Sequence, residues 1–434
     1  MNTRTFVKKL IPRKLFKTIE PWGHLAEAVV FNTLYGFPAR NMKVVGVTGT
    51  NGKTTTSYLI HKMLTEAGYN AGLMTTVAYG VGTNIHPQIH HMTNVGVPEM
   101  MRRLRHMKQE KVDWLVLETT SHALAQHRVW GIPYSVVVLT NVTHEHLDYH
   151  GSFENYRDAK LQLFKLADKN KKGLRTGVIN SEDASADLFA GAIASPIRYG
   201  VGEGDLEAKN VQLSADGVQY DVEVAGELVH IHCNIPGSFN VYNSLAAVGV
   251  GRTLGLTPKQ IEQGIAALDA VEGRMTSIDV GQAASIIVDF AHTPDSFEKL
   301  FKDLRPIVKG KLIVMFGSAG RRDEAKRAIQ GQLAGKYADE LVITEEDDRD
   351  CDGIAIMNDI AAGAEATGKV RGGSLFLVHD RSEAIHFAIA RATSADDTVL
   401  LLGKGHEKTI ERANGENDWD EIATARAAAR KSVA

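Results

Sequence analysis

From residue 43 onward, short apolar runs that end in glycine or a polar residue alternate with stretches of helical spacing. That punctuation belongs to a sheet crossed by helices. Runs at 44–48, 114–118, 135–141 and 176–180 predict buried strands, and helices are expected to open near Thr54, Pro98 and Asn240. Between Asp205 and Pro236 the period shortens to two. Val211, Val218, Tyr220, Val222 and Val224, around Asp216 and Gly217, there predict antiparallel hairpins placed before the next helix. A second alternating set follows Gly273-Arg274, with strands expected at 285–290, 311–316, 340–344, 374–378 and 398–402. The pattern predicts an α/β protein in three parts: an N-terminal segment (1–42), a central domain with a mostly parallel sheet (43–272) and a C-terminal Rossmann-like domain (273–434).

Composition narrows the function. The 434 residues are 44% apolar and 23% charged, with a formal net charge of −3. No global field recruits nucleic acid, so small-molecule partners are expected. Cys233 and Cys351 are too few and too far apart for a disulfide framework or a cysteine metal site, and they read as two buried thiols in a reducing cytoplasm. No apolar run reaches the ~18 residues of a membrane span, and Glu27 and Asn32 interrupt any signal-peptide core. A cytoplasmic protein is expected. The N-terminal segment nevertheless interleaves Arg4, Lys8, Lys9, Arg13, Lys14 and Lys17 with Phe6, Leu10, Ile11, Leu15 and Phe16. It reads either as a helix packed on the adjoining domain with a solvated basic face, or as a contact for an anionic membrane surface or a protein partner.

The clearest chemistry lies at 44–56. An apolar strand runs into Gly49-Thr50-Asn51-Gly52, and Lys53-Thr54-Thr55-Thr56 opens a helix. Backbone amides and the helix dipole at such a turn favour polyphosphate, a lysine reaches the terminal phosphates and Thr54 is placed to ligate magnesium. The glycine expected five residues before Gly52 is Val47 here, so the loop is a shortened variant. The central domain is accordingly of P-loop ATPase type, with ATP and Mg2+ as the implied ligands. Glu118 ends its strand at the carboxyl edge, where parallel sheets hold ligands. His144, His146, Asp148 and His150 alternate on a loop expected at the same edge, a set open to magnesium or zinc.

Taken together, the motifs resemble the Mur ligase family, in the branch that adds the third residue of the peptidoglycan peptide. They run in order through residues 49–55, Glu118-Thr119-Thr120-Ser121-His122, Gln126-His127-Arg128, Thr140-Asn141, 146–151, Ala159-Lys160, Gly237-Ser238-Phe239-Asn240 with Asn243, Gly273-Arg274, 289–295, Lys326-Arg327 and 403–407. The resemblance implies an ATP-dependent ligase that phosphorylates a carboxylate and lets an amine displace the phosphate. By the same resemblance Lys53, Glu118, His146 and Lys160 are catalytic, with Thr54, Glu118, His146 and Lys160 around the metal and Lys160 carbamylated to N6-carboxylysine. ATP would be held by Gly49, Thr50, Asn51, Gly52, Lys53, Thr54, Thr55, Asn240, Asn243, Arg274, Asp289 and His292. A muramyl-peptide acceptor would meet Thr93, Asn94, Ser121, Gln126 and Arg128, and the free amino acid Arg327, Asp347, Arg349, Gly403 and Glu407.

Three departures qualify that picture. Full-length family members open with a further domain for the uridine nucleotide, whereas about forty residues precede the loop here. The expected Asp-Asn-Pro-Arg is Glu346-Asp347-Asp348-Arg349, keeping only the arginine, which favours a diamino acid with a distal carboxylate. The expected Gly-Arg-Met-Glu ends in Thr276. The sequence leaves three readings: a tripeptide-forming cell-wall ligase, a related ligase for a lipid-linked, polyglutamate or folate acid, and an inactive nucleotide-binding regulatory protein.

Overall fold

The computed structural model describes residues 13–88, 93–143, 145–214 and 217–433. Strand β1 (Lys43–Thr48) is buried from Val44 onward, so both of its faces must be covered, and it sits inside a nine-stranded sheet. The sheet also holds β2 (Ala71–Met74), β3 (Ala78–Val81), β4 (Asn84–Pro87), β5 (Trp114–Glu118), β6 (Tyr134–Leu139), β7 (Thr176–Asn180), β8 (Ser195–Gly200) and β9 (Leu206–Glu207). Its order is β4-β3-β2-β5-β1-β6-β7-β8-β9, parallel except for the β2-β3-β4 hairpins. Alternate residues separate two cores. Val45, Val47, Val116, Val136 and Val138 pack on one face, and Val44, Leu115, Leu117, Val137 and Leu139 on the other.

The helices that matter below are α1 (Arg13–Leu34), α2 (Lys53–Glu66), α3 (Val97–Gln109), α4 (Phe153–Lys169), α5 (Phe239–Thr253), α6 (Pro258–Ala266), α7 (Pro294–Leu304), α8 (Ala325–Tyr337), α9 (Gly353–Glu365), α10 (Arg381–Ala390) and α11 (Glu421–Val433). A three-stranded antiparallel sheet, β10 (Lys209–Ser214), β11 (Gly217–Val224) and β12 (Glu227–Cys233), lies where the alternation of two predicts hairpins, although Asp216 is outside the described residues. The last sheet runs β13-β14-β18-β15-β16-β17, from β13 (Thr276–Ile278), β14 (Ser285–Asp289), β15 (Leu312–Phe316), β16 (Glu340–Ile343), β17 (Leu375–Leu377) and β18 (Thr398–Leu402); only β13 is antiparallel. A further hairpin pairs β19 (Thr409–Arg412) with β20 (Gly415–Asp418).

One expectation needs correcting: Cys233 is buried, but Cys351 is only partly so. The basic face expected from Arg4, Lys8, Lys9, Arg13, Lys14 and Lys17 lies outside the described residues and side chains, while farther along α1 the outward face is apolar from Trp22 to Leu34. Among the described residues no helix is long and apolar enough to cross a membrane.

In the C-terminal sheet, α8 and α9 meet through glycines. A Cβ on Gly331 would lie 1.9 Å from the Ile360 carbonyl oxygen, and one on Gly363 1.9 Å from that of Ala328. Replacing either by alanine gains about 1 kcal/mol of helix propensity. Overpacking against fixed backbone costs roughly 1–3 kcal/mol, so Gly331→Ala and Gly363→Ala are each expected to lower the urea midpoint. A midpoint at or above that of the unsubstituted chain would contradict this close packing.

Candidate active site

The strand β1 ends in a loop that only glycine can build. Gly52 has φ +83°, and a Cβ there would lie 2.2 Å from Asn243 Oδ1. Thr50 N donates to Asn141 O (2.8 Å) and Asn51 N to Asn141 Oδ1 (2.9 Å), which hangs the loop on the end of β6. Lys53 opens α2, its Nζ 2.8 Å from Thr50 O. Asn243 Nδ2 donates to Asn240 Oδ1 (2.8 Å), and Asn240 Nδ2 to Pro236 O (2.7 Å), so the first turn of α5 lies against the loop from behind. This cradle of backbone amides with a lysine at its exit fits a polyphosphate.

The parallel register pairs Val47 with Glu118, placing the carboxylate beside the loop. Glu118 Oε2 accepts from Thr54 Oγ1 (2.9 Å) and Thr76 N (3.1 Å), and Oε1 from Thr76 Oγ1 (3.0 Å). Thr76 Oγ1 also meets Thr93 Oγ1 at 2.7 Å. Asn94 Nδ2 donates to Glu118 O (2.8 Å), its Oδ1 accepts from Thr120 N (2.9 Å), and Arg128 donates to its backbone oxygen. Ser121 follows the N-cap Thr120 and contacts His150 Nε2 at 3.1 Å, while Gln126 bonds Tyr149. Of the five residues expected to meet an acceptor, Thr93, Asn94 and Arg128 are thus joined to the phosphate loop through Glu118, whereas Ser121 and Gln126 turn to His150 and Tyr149. Thr54 and Glu118 together offer hard oxygen donors that suit magnesium.

The C-terminal sheet faces this edge. Arg274 is partly buried, its Nη2 3.5 Å from Thr54 Oγ1 and its guanidinium 4.6 Å from the Phe290 ring centroid; its Nε has no partner among the described residues. Asp289 accepts from Met275 N and Ala291 N, both at 2.8 Å, and burial pushes its pKa up. A capping box of Thr293 and Ser296, with Pro294 next, starts α7 immediately after His292. Further contacts span the halves at this edge: Asn51 Nδ2 to Asp295 Oδ2 (2.8 Å), and Glu145 between His292 Nε2 (3.4 Å) and His146 Nε2 (3.7 Å). Although burial raises the Glu145 pKa, His146, His292 and Lys53 hold it below the usual carboxylate range.

Lys160, on the buried side of α4, donates to Gly49 O (2.6 Å). Burial, then Lys53, drives its pKa well below the ordinary lysine value. A neutral amine is the form that adds to carbon dioxide, so the pocket suits carbamylation. His146 has φ +55° and a pKa lowered by burial. His122, edge-to-face with His146 and His150, is lowered to about 3 by burial and then by those two rings. His144 and the side chain of Asp148 lie outside the described residues. Among those described, the alternating histidines form no shared ligand set; the one three-residue group is Glu345, Asp348 and His379, in the other sheet.

The residues expected to bind the amino acid divide. Asp347 accepts from Lys404 Nζ (2.9 Å), which also meets Glu407 (2.5 Å). Arg349, at φ +58°, donates from Nε to Glu411 Oε2 (2.7 Å) and from Nη1 to Gly320 O (2.5 Å). Gly403 lies so close to Glu346 that a Cβ would sit 2.8 Å from Oε2, and burial pushes the Glu346 pKa up. Arg327 is not brought to this group. It pairs with Asp359 (2.9 Å) across the α8–α9 contact, while Lys326 reaches His292 O (3.1 Å). Sequence reasoning assigned no role to Glu145, Thr76, Lys326, Glu346 or Lys404. Glu145 could have been suspected from its place beside His146, but the others acquire neighbours only through tertiary contact.

Comparison with known proteins places this geometry. The Mur ligase middle domain matches residues 47–251, and the Mur ligase glutamate ligase domain residues 273–405. A UDP-N-acetylmuramyl-tripeptide synthetase of Roseiflexus is 40% identical over 420 residues, spanning 94% of this chain and 82% of the relative. A UDP-N-acetylmuramoyl-L-alanyl-D-glutamate–2,6-diaminopimelate ligase of Geobacillus thermodenitrificans is 36% identical, over 95% of this chain and 84% of its own. Among solved structures, a ligase with that same diaminopimelate name superposes with a TM-score of 0.63 at 27% identity, over 96% and 83% of the two chains. A folylpolyglutamate synthase of Mycobacterium tuberculosis shares the fold, with a TM-score of 0.70 at 16% identity over 94% and 95%.

The buried amine of Lys160 costs stability. Its pKa falls on folding, so below the unfolded value the unfolded chain binds more protons and folding is penalised; the penalty fades as pH rises toward about 10.4. Lys160→Met is therefore expected to raise the melting temperature at pH 7, without added bicarbonate, with a gain that shrinks toward pH 10. A gain that instead grew with pH would contradict a neutral buried amine.

Proposed function

This chain belongs to the Mur ligase family, a family of ATP-dependent amide ligases, and we propose that it adds an amino acid, by preference a diamino acid, to the carboxylate of a muramyl-peptide acceptor in peptidoglycan precursor synthesis. The observation that carries this reading is the continuity of the Glu118 network, which joins the phosphate loop at Thr54 to the acceptor rim at Thr93, Asn94 and Arg128. The γ-phosphoryl group passes to the acceptor carboxylate, and the amine then displaces phosphate. Both steps concentrate negative charge, so placed cations and donors supply most of the rate. Lys53 and Arg274 approach the phosphates from the two sheets, while Asn240, Asn243, Asp289 and His292 frame the nucleotide. Thr54, Glu118 and His146 would hold magnesium, which would supply charge neutralisation at the phosphoryl oxygens. Lys160, as a carbamate, adds an anionic oxygen where the pocket otherwise has an amine.

Residues 43–272 act in this reading as the ATP-binding domain and 273–434 as the amino-acid domain, in the cytoplasm. Arg349 meets the distal carboxylate of the amino acid and Glu407 its distal ammonium. Residues 1–42 engage a peripheral partner. The test is product mass spectrometry after incubation with ATP, muramyl peptides and mixed amino acids, with ADP release measured alongside; no ADP and no amide with any pair would reject the reading.

Lys160→Ala is expected to lose roughly a hundredfold or more in ligation and to regain part of it with a short-chain carboxylate; full activity without the additive would remove Lys160 from the machinery. Arg349→Ala should lower kcat/KM for diaminopimelate by about a hundredfold, near 2.7 kcal/mol, and that for lysine far less. Equal losses would make Arg349 structural.

A further inference from the structure

Helix α1 buries one stripe, His24, Ala28 and Asn32, and Asn32 Nδ2 donates to Trp130 O at 3.1 Å. Its opposite stripe has no cover among the described residues. Trp22 is 68% exposed, Val29 38%, Val30 52% and Leu34 71%. The helix positions between them, Ala26 and Thr33, carry no charge. The two carboxylates of the helix, Glu20 and Glu27, turn instead to His24 (4.0 and 3.5 Å). A solvent-facing helix stripe is ordinarily polar, so four large apolar side chains in a row mark a contact surface.

The surrounding charge selects the occupant. Residues 1–43 contain eight lysines and arginines against two carboxylates, in a chain whose net charge is −3. Arg13, Lys14 and Lys17 occupy the first turns of α1. The neighbouring α3 exposes Arg102, Arg105 and Lys108, with the Arg105 guanidinium 6.0 Å from the Tyr35 ring. A second copy on this stripe would bring two such basic segments together, whereas anionic headgroups would neutralise them. An apolar stripe bearing a tryptophan, on a helix whose sequence opens with basic residues and beside the exposed Arg105 and Lys108 of α3, is what an interfacial helix presents to lipid.

We propose that α1 docks the protein on an anionic bilayer surface, with Trp22, Val29, Val30 and Leu34 entering the headgroup region.

The experiment sediments the full chain with phosphatidylcholine vesicles, with and without about a third phosphatidylglycerol, in the absence of ATP and amino acid, so its outcome is independent of the ligase reading. Binding to the anionic vesicles is expected to be roughly tenfold tighter or more, and to weaken with salt. Val30→Asp with Leu34→Asp, both at exposed positions, should weaken it by about tenfold with an unchanged circular dichroism spectrum. A blue shift in tryptophan emission should appear with anionic vesicles and disappear in Trp22→Phe. Equal affinity for both vesicle types, no binding to either, or binding untouched by the double substitution would overturn the proposal. So would a lipid-free dimer that the double substitution dissociates, because the stripe would then be an interface between copies.

Discussion

Glu118 ends a strand buried along its whole length, so its carboxylate leaves the sheet where β1 passes into the phosphate loop, with the register fixed by Val47 opposite. A carboxylate in that position needs donors. They come from distant parts of the chain: Thr54 on the helix that follows the loop, and Thr76 in the turn between β2 and β3. Its own backbone oxygen takes the amide of Asn94. The phosphate loop and the residues proposed for the acceptor and the metal therefore share one anchoring point. The small β2-β3-β4 extension of the sheet, easily taken for decoration, positions Thr76 and through it Thr93.

The second sheet completes the site from outside. Arg274 reaches Thr54 from a turn held by Asp289, while Asn51–Asp295 and Glu145–His292 cross between the halves. His146, Met275 and Arg349 all have positive φ without being glycine. Each such conformation costs on the order of 1–3 kcal/mol and persists where surrounding structure enforces it. His146 and Arg349 are among the residues proposed for the metal and the amino acid, and Met275 adjoins Arg274, but the same conformation also occurs at Phe37, Lys111 and Ala225.

The strands that build the site were legible because each is an apolar run ended by a polar residue: β1, β5, β6 and β7, and in the second half β14 to β18, fall within a residue or two of the periodicity. The strands β2, β3 and β4 have four residues each, and β8 carries Pro196 and Arg198, so no pattern long enough to read was present. Contact chemistry divides in the same way. Lys53, Thr54 and Glu118 are fixed by the order of strand, loop and helix, so motif spacing located them. Arg327 stands beside Lys326 in sequence, yet one helix turns them to different partners, Asp359 and His292, a choice made by packing against α9. The outer face of α1 escaped notice because its basic residues dominate the sequence while Trp22, Val30 and Leu34 align only once the helix is seen.

In the proposed reaction, the edge around Glu118 brings an acceptor carboxylate to the phosphoryl group of ATP. The direct measurement supplies a muramyl peptide whose terminal carboxylate carries heavy oxygen, and follows the label by mass spectrometry of the released phosphate and the amide product. An acyl-phosphate route predicts one heavy oxygen in each phosphate released and one retained in each amide formed. Phosphate free of label, with amide still produced, would contradict it.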